Sequence, residues 1–338
     1  MAGLLTTSLL GGGPVYASAP PEPFENFNGN PLLLATSPPS WLVAPLEPGA
    51  FTASLQHARS NSFREHASGQ EEAEVDGELG LTTAGVRASL PHGLEASLLL
   101  AHASHGSGVM DDLIYQWHDW FGLPQGSRTA ATNDRFAYSY TDSGKPPVRL
   151  TAPTSALASL RLGLNGPLQW LDRQWLLQGE IRLPTGASKD KADAVEDFVE
   201  EFFDAGAWAA SFGAGTHGEA TFLGWPLVWF GASGLTLQDG GDSALADRRK
   251  ALMLSWRLGA RWRLAEGWWL QTQLDGNTPA YASDLHELGG VPAQLTSGLT
   301  IKLSPRWTTD LTFSEDLNPG VSADFTAALR VKYLWSPN

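Results

Sequence analysis

The chain has 338 residues, no cysteine and a formal net charge of −14, with 42% hydrophobic and 17% charged residues. The missing cysteine excludes a disulfide scaffold, a Cys-ligated zinc site and a thiol nucleophile, and the acidic balance argues against nucleic acid as a partner. Mean hydropathy is −0.16, and the absence of any run of about 18 apolar residues excludes a transmembrane helix, though not a β-barrel whose apolar half hides in alternate positions.

At the N-terminus, Leu4, Leu5, Leu9 and Leu10 form a short apolar stretch ahead of Ala17-Ser18-Ala19 and the run Pro20-Pro21-Glu22-Pro23. Small residues followed by a proline-rich start predict a secretory signal over 1–19, cleaved after Ala19, although no Lys or Arg precedes the apolar stretch. Residues 20–50 then read as a periplasmic N-terminal segment, and 51–338 as one barrel domain.

From there the pattern has period two. Strands are predicted near 51–63, 73–90, 93–106, 150–164, 173–185, 205–216, 219–237, 250–264, 267–278, 292–303, 307–317 and 322–335. In the clearest, Leu252, Leu254, Trp256, Leu258, Ala260, Trp262 and Leu264 oppose Ser255, Arg257, Arg261 and Arg263. One apolar and one polar face is the mark of a strand, and runs of about 10–13 residues suit a tilted crossing of a bilayer.

Tight turns are expected at Pro91-His92-Gly93, His217-Gly218, Ala265-Glu266-Gly267 and Ser304-Pro305-Arg306, with a longer one over 165–172. The other side carries longer connections, over 64–72, 107–149, 186–204, 238–249, 279–291 and 318–321. Short turns on one side and long loops on the other define an outer-membrane barrel with its tight side periplasmic. Trp175, Trp268, Trp307 and Trp335 fall beside the tight turns, where an aromatic girdle belongs. The final Tyr333-Leu334-Trp335 resembles the C-terminal signal read by the barrel assembly machinery. The expected fold is therefore all-β: a transmembrane antiparallel β-barrel of about twelve strands, with a short strand near 136–142 setting the range at ten to fourteen.

The blocks Asn28-Gly29-Asn30-Pro31-Leu32, His105-Gly106-Ser107-Gly108-Val109-Met110-Asp111, His118-Asp119-Trp120-Phe121-Gly122-Leu123-Pro124-Gln125-Gly126-Ser127-Arg128 and Glu315-Asp316-Leu317 resemble those of an uncharacterised proteobacterial family of proteins of unknown function, family 3187. Ser127 stands where that pattern has a second Gly. The resemblance implies an outer-membrane barrel and supplies neither an activity nor site residues.

Within the longest loop, Leu113, Ile114, Trp117 and Phe121 recur at helical spacing after Asp111 and Asp112, and Gly122-Leu123-Pro124 ends the pattern. This short helix, carrying His118, Asp119, Trp120 and Phe121 with Arg128 beyond it, is either a plug narrowing the barrel mouth or a helix packed on the rim. His102 and Ser104 share the lipid-facing side with Leu98 and Leu100, a His-x-Ser pair similar to that of outer-membrane lipid hydrolases, in which His activates the Ser hydroxyl. No carboxylate orients His102 from the same face, and His105 stands where those enzymes have Asn. His105, Asp111, Asp112, His118 and Asp119 match no specific metal arrangement, so neither metal nor cofactor is expected.

Acidic residues crowd two loops: Asp190, Asp193, Glu196, Asp197, Glu200, Glu201 and Asp204 in one, Glu65, Glu71, Glu72, Glu74, Asp76 and Glu78 around the other. Inside the barrel, Arg161, Arg182, Arg257, Arg261, Arg263 and Arg330 face Glu95, Glu180, Asp275 and Asp310, either as a wet pore lining or as the ion pairs of a plugged lumen. The expected activity is passive passage of a small solute across the Gram-negative outer membrane, with Arg182, Arg257, Arg261, Arg263, Arg330, Asp275 and Asp310 along the path. A lipid hydrolase using His102 and Ser104, or a non-conducting surface protein, are the alternatives. Outer-membrane lipids and lipopolysaccharide are the expected partners, and the oligomeric state is left open.

Overall fold

The computed structural model describes residues 21–122, 133–143, 145, 147–185, 202–203, 206–241 and 245–337. The signal expected over 1–19, Arg128 and the acidic residues Asp190, Asp193, Glu196, Asp197, Glu200, Glu201 and Asp204 lie outside them, as do the side chains of Trp117, His118 and Phe121.

Period-two sequence becomes one closed antiparallel sheet. Its twelve wall strands are β1 (Phe51–Ser68), β2 (Glu71–Ser89), β3 (Glu95–Gly106), β6 (Thr154–Trp170), β7 (Arg173–Leu183), β8 (Ala209–Phe222), β9 (Trp225–Gln238), β10 (Leu252–Ala265), β11 (Trp268–Asn277), β12 (Ala293–Lys302), β13 (Trp307–Asp316) and β14 (Phe325–Trp335). Each pairs with its sequence neighbours, and β1 closes the barrel by pairing with both β2 and β14, Phe51 opposite Trp335. Closure leaves no unpaired edge in lipid, the condition for any sheet that spans a membrane. A small hairpin, β4 (Ala137–Asp142) and β5 (Val148–Leu150), extends the sheet from the upper part of β2. It is the extra strand expected near 136–142.

Two hairpin turns differ from expectation. The connection after β6 is the two-residue turn Leu171-Asp172, both at positive φ (51° and 55°), and that after β8 is Leu223-Gly224, at 50° and 82°. Such turns match the twist of the flanking strands. Leucine at the first position gives no turn signal, whereas His217-Gly218, which does, lies within β8. Pro167 lies inside β6 because that stretch pairs only with β7, the β3 ladder ending at Asn165.

The outer face carries Leu98, Leu162, Ile181, Leu235, Leu258, Leu311 and Leu329, all more than a third exposed, as side chains that meet hydrocarbon should be. Phe51 stacks on Trp335 at 5.7 Å, and Trp307 packs on Tyr333 at 5.0 Å, building a girdle at the tight-turn end.

The lumen is occupied by the chain itself. Residues 21–47, expected as a periplasmic segment, enter at the tight-turn end, climb the wall of β11 to β14, turn at a 3-10 helix (Pro31–Thr36) and descend along β6 to β10 before β1 begins. The physical reason is polar demand. The inner face is lined with Gln, Arg and Asp, whose donors and acceptors this extended backbone satisfies.

The helix of the long loop, α1 (Asp111–Phe121), takes the rim position and not the lumen. Met110 and Ile114 are buried against Phe325 and Ala327 on the outer face of β14. Glu78 accepts the amides of Val109 and Met110 at the helix start, and Asn61 Nδ2 donates to Asp111 Oδ1 at 3.0 Å. Asp119 is exposed, and Trp120 is 70% exposed. The plug reading of this helix is thereby corrected.

Candidate functional site

Four arginines of the wall share one arrangement. Arg257 Nε meets Asp275 at 2.5 Å, Arg330 Nε meets Asp310 at 2.8 Å, Arg87 Nε meets Glu95 at 2.8 Å, and Arg161 Nη1 meets Glu180 at 3.4 Å. Arg257 and Arg330 stand directly opposite their acids on neighbouring strands. Each guanidinium then turns a remaining N–H onto a backbone carbonyl of the lumen segment: Arg257 to Trp41 at 3.2 Å, Arg330 to Pro23 at 3.3 Å, Arg87 to Ala44 at 3.4 Å, and Arg161 to Pro38 and Ser37 at 3.2 and 3.3 Å. A guanidinium has five donors in a fixed fork, so one side chain can hold a carboxylate and a carbonyl together. Through these bonds the four arginines grip the passing backbone by its carbonyls.

Glutamines do the same on both limbs. Gln273 accepts from Phe24 N at 2.8 Å and donates to Phe24 O at 3.1 Å, and Gln178 does likewise with Leu42 at 2.7 and 2.9 Å. Trp41 is the anchor of the descending limb. Its Nε1 donates to Ser255 Oγ at 2.9 Å, and its ring fills a recess left by Gly213 and Gly234, where an added Cβ would lie within 2.7 Å of it. At Gly215 an added Cβ would come to 2.0 Å from Leu42 O, so the backbone passes at contact distance. Small residues on the inner face of β8 and β9 therefore cut a slot for this limb.

At the outer end the lumen is shut. Leu32, Leu33 and Leu34 pack with Tyr138, Tyr140, Phe202, Phe203, Tyr281, Leu285, Leu288 and Val321 in one buried apolar cluster. Tyr140 Oη donates to Glu71 Oε1 at 2.8 Å; burial and then that carboxylate push the phenol above its ordinary range, keeping it a donor.

At the inner end it is open. A chamber of roughly 740 Å³ is lined by Arg87, Arg261, Arg263, Lys302 and Lys332, against Glu22, Glu47 and Glu266. Glu22 and Glu47 belong to the lumen segment, leaving the wall itself with five cations and one acid around this space. Arg261 lies over the Trp269 ring at 4.4 Å, and its Nε has no hydrogen-bond partner among the described residues.

All seven side chains expected along the path, Arg182, Arg257, Arg261, Arg263, Arg330, Asp275 and Asp310, sit at inward-facing strand positions. Arg257, Arg330 and Asp275 hold the lumen segment, with Asp310 pairing Arg330, whereas Arg261 and Arg263 face the chamber; Arg182 is buried, and its Nη2 has no hydrogen-bond partner among the described residues. Residues that sequence reasoning missed are Glu22, Trp41, Arg87, Lys302 and Lys332. The inward glycines 213, 215 and 234 were a usable signal, since a barrel interior has no other reason to give up side chains at one level.

Among the described residues, no hydrogen bond joins His102 to Ser104. His102 is exposed on the outer face, and Ser104 Oγ donates to Gly80 O at 3.3 Å. The neighbouring His57 has its Nδ1 at 2.9 Å from Thr82 Oγ1. Two of the residues weighed for a metal have other roles: His105 is buried with Nε2 donating to Phe202 O at 2.8 Å, while Asp111 anchors α1 outside the barrel. Among the described residues, no group of three His, Asp or Glu side chains is placed to hold a metal ion.

A family model described as a protein of unknown function, DUF3187, matches residues 17–335. No curated protein matches the chain. Among solved structures, the COG4313 outer membrane channel from Pseudomonas putida F1 is similar at 12% identity and a TM-score of 0.51, covering 86% of this chain and 97% of that one. The NanC porin is similar at 10% identity and a TM-score of 0.42, covering 85% and 100%. The translocator domain of the autotransporter NalP from Neisseria meningitidis gives 14% and 0.38, covering 86% and 90%. The likeness to the COG4313 protein shows the fold, an outer-membrane type of β-barrel.

Proposed function

The chain belongs to the DUF3187 family, and from the geometry of its lumen we propose that it is a Gram-negative outer-membrane channel for a small anionic solute, closed by its own N-terminal segment. The observation that carries this reading is the chamber of roughly 740 Å³ whose wall presents five cations and one acid, directly beneath a segment held by reversible polar contacts. A low-dielectric wall around one sign of charge focuses the field and concentrates the opposite ion. The segment is bound through carbonyls and side-chain amides, while the barrel is closed by its own strand ladder, so the plug can leave without opening the wall. Its apex meets the apolar cap, so passage requires movement of the 3-10 turn at Pro31–Thr36. That the COG4313 protein is described as a channel agrees with this reading.

The test is planar-bilayer conductance of the protein with and without residues 21–46. The full chain is expected to conduct little, and the deletion variant to open a larger, anion-preferring path. A deletion variant that inserts and passes no current would overturn the channel, and a cation preference would overturn the solute class.

A further inference from the structure

Glu22 is the acid of the ascending limb that faces the chamber. Its Oε2 lies 3.0 Å from Lys332 Nζ, and its Oε1 lies 3.7 Å from an Arg330 nitrogen and 3.8 Å from an Arg87 nitrogen. The wall around it is short of one negative charge. Arg87 has Glu95, and Arg330 and Lys332 share Asp310, so three cations of the wall meet two of its carboxylates; the limb brings Glu22 to all three cations, while its Glu25 reaches only Arg330, at 4.0 Å. Its side chain remains 33% exposed, on the side where the chamber opens. A carboxylate at a cluster of cations from β2 and β14, reachable from the open end, is what a bound anionic solute would look like.

We propose that Glu22 occupies an anion subsite formed by Arg87, Arg330 and Lys332, and that a solute carboxylate entering the chamber competes for it and unseats the ascending limb. The proposal rests on the reading of the chamber as an anion path and adds its regulation: solute and plug exclude each other, so the solute opens its own channel. Mutual exclusion is a coupling between two ligands of one site, here an external anion and a tethered one. Pro23 follows directly, with its carbonyl on Arg330, so loss of the Glu22 contacts frees the next bond of the limb.

The chain has no cysteine, so one placed in the limb reports on the limb alone. In Pro23→Cys protein, buried at that position, maleimide labelling is followed with glutarate and, separately, with sodium chloride at equal ionic strength. Glutarate is expected to speed labelling about tenfold over the chloride control, the scale of losing a charge-assisted bond. Equal rates in the two salts overturn the subsite. Adding Glu22→Gln should make labelling fast without glutarate and insensitive to it, whereas Glu22→Asp should keep the dependence. A Glu22→Gln protein still responding to glutarate overturns the assignment, because the anion then acts elsewhere. Labelling does not depend on current, so a failed channel and a failed subsite give separate results.

Discussion

Arg257 and Asp275 stand directly opposite one another on β10 and β11, and the same guanidinium that meets Asp275 at 2.5 Å donates to the carbonyl of Trp41 at 3.2 Å. One side chain therefore joins wall to wall and wall to plug. Replacing it with Met removes both bonds and leaves Asp275 inside the lumen with the amides of Asn26 and Gln273 as its remaining polar neighbours. Truncating one partner of such a pair costs about 2–5 kcal/mol. The strand ladder does not depend on it, so Arg257→Met is expected to keep the barrel's circular dichroism while residues 37–46 become open to limited proteolysis. Protection equal to wild type would show that the carbonyl contact does not hold the limb.

A second prediction concerns the slot. At Gly215 any Cβ falls 2.0 Å from a backbone oxygen of Leu42, which cannot rotate away as a flexible side-chain tip could. Gly215→Val is thus expected to expel the descending limb and raise conductance toward that of the 21–46 deletion. Trp41→Ala acts from the other partner, losing its bond to Ser255 and costing about 3–5 kcal/mol of plug seating through the cavity it leaves. The control is Gly224→Ala in a turn, where an added Cβ meets nothing within 4 Å; its positive φ costs backbone strain without touching the plug.

The barrel was legible because its physics is periodic: Leu252 to Leu264 meets lipid and lumen in strict alternation, and that alternation survives in sequence. The plug was not, because residues 21–47 adopt no repeating conformation except the turn Pro31–Thr36, and the bonds that seat them on the wall run to residues far along the chain, Phe24 to Gln273 and Leu42 to Gln178 among them. Helical spacing in α1 did report an apolar stripe, with Ile114 buried as expected. A stripe, however, does not say which side of a wall it packs on. The alternation puts the arginines on the inner face, but one sequence cannot tell a guanidinium that faces water from one that holds a carbonyl.

A third prediction follows from the outer cap. Burial and Glu71 raise the phenol of Tyr140, and burial with Glu78 and Asp76 raises that of Tyr138. The folded values lie above the unfolded ones, so each contributes stability that is fully present below about pH 10 and is lost as pH climbs further, where the unfolded chain gives up the proton first. In an ultraviolet titration, Tyr138 and Tyr140 should stay protonated near pH 11 and ionise only as the cap opens. Tyr140→Phe should remove one lagging proton, and all tyrosines titrating together would contradict the packing of the cap.

The last prediction separates α1 from the barrel that carries it. Glu78 is 2% exposed, yet three donors converge on it: Arg59 across the β1–β2 pair and the amides of Val109 and Met110. Those amides belong to the start of a helix, where backbone N–H groups have no partner within the helix itself. Gly108 precedes them at φ 70°, and a Cβ there would strike the Glu78 carboxyl at 1.7 Å, so the turn is shaped around this one side chain. Glu78→Ala leaves two amides and Arg59 without their acceptor, at about 1–3 kcal/mol for each buried group. The cost falls on the loop and not on the twelve-strand ladder. Proteolytic cleavage within 107–122 is therefore expected to quicken while thermal unfolding in detergent changes little. A matching fall in barrel stability would mean that α1 braces the β1–β14 closure at Phe325, and the helix would then be a structural clasp of the seam.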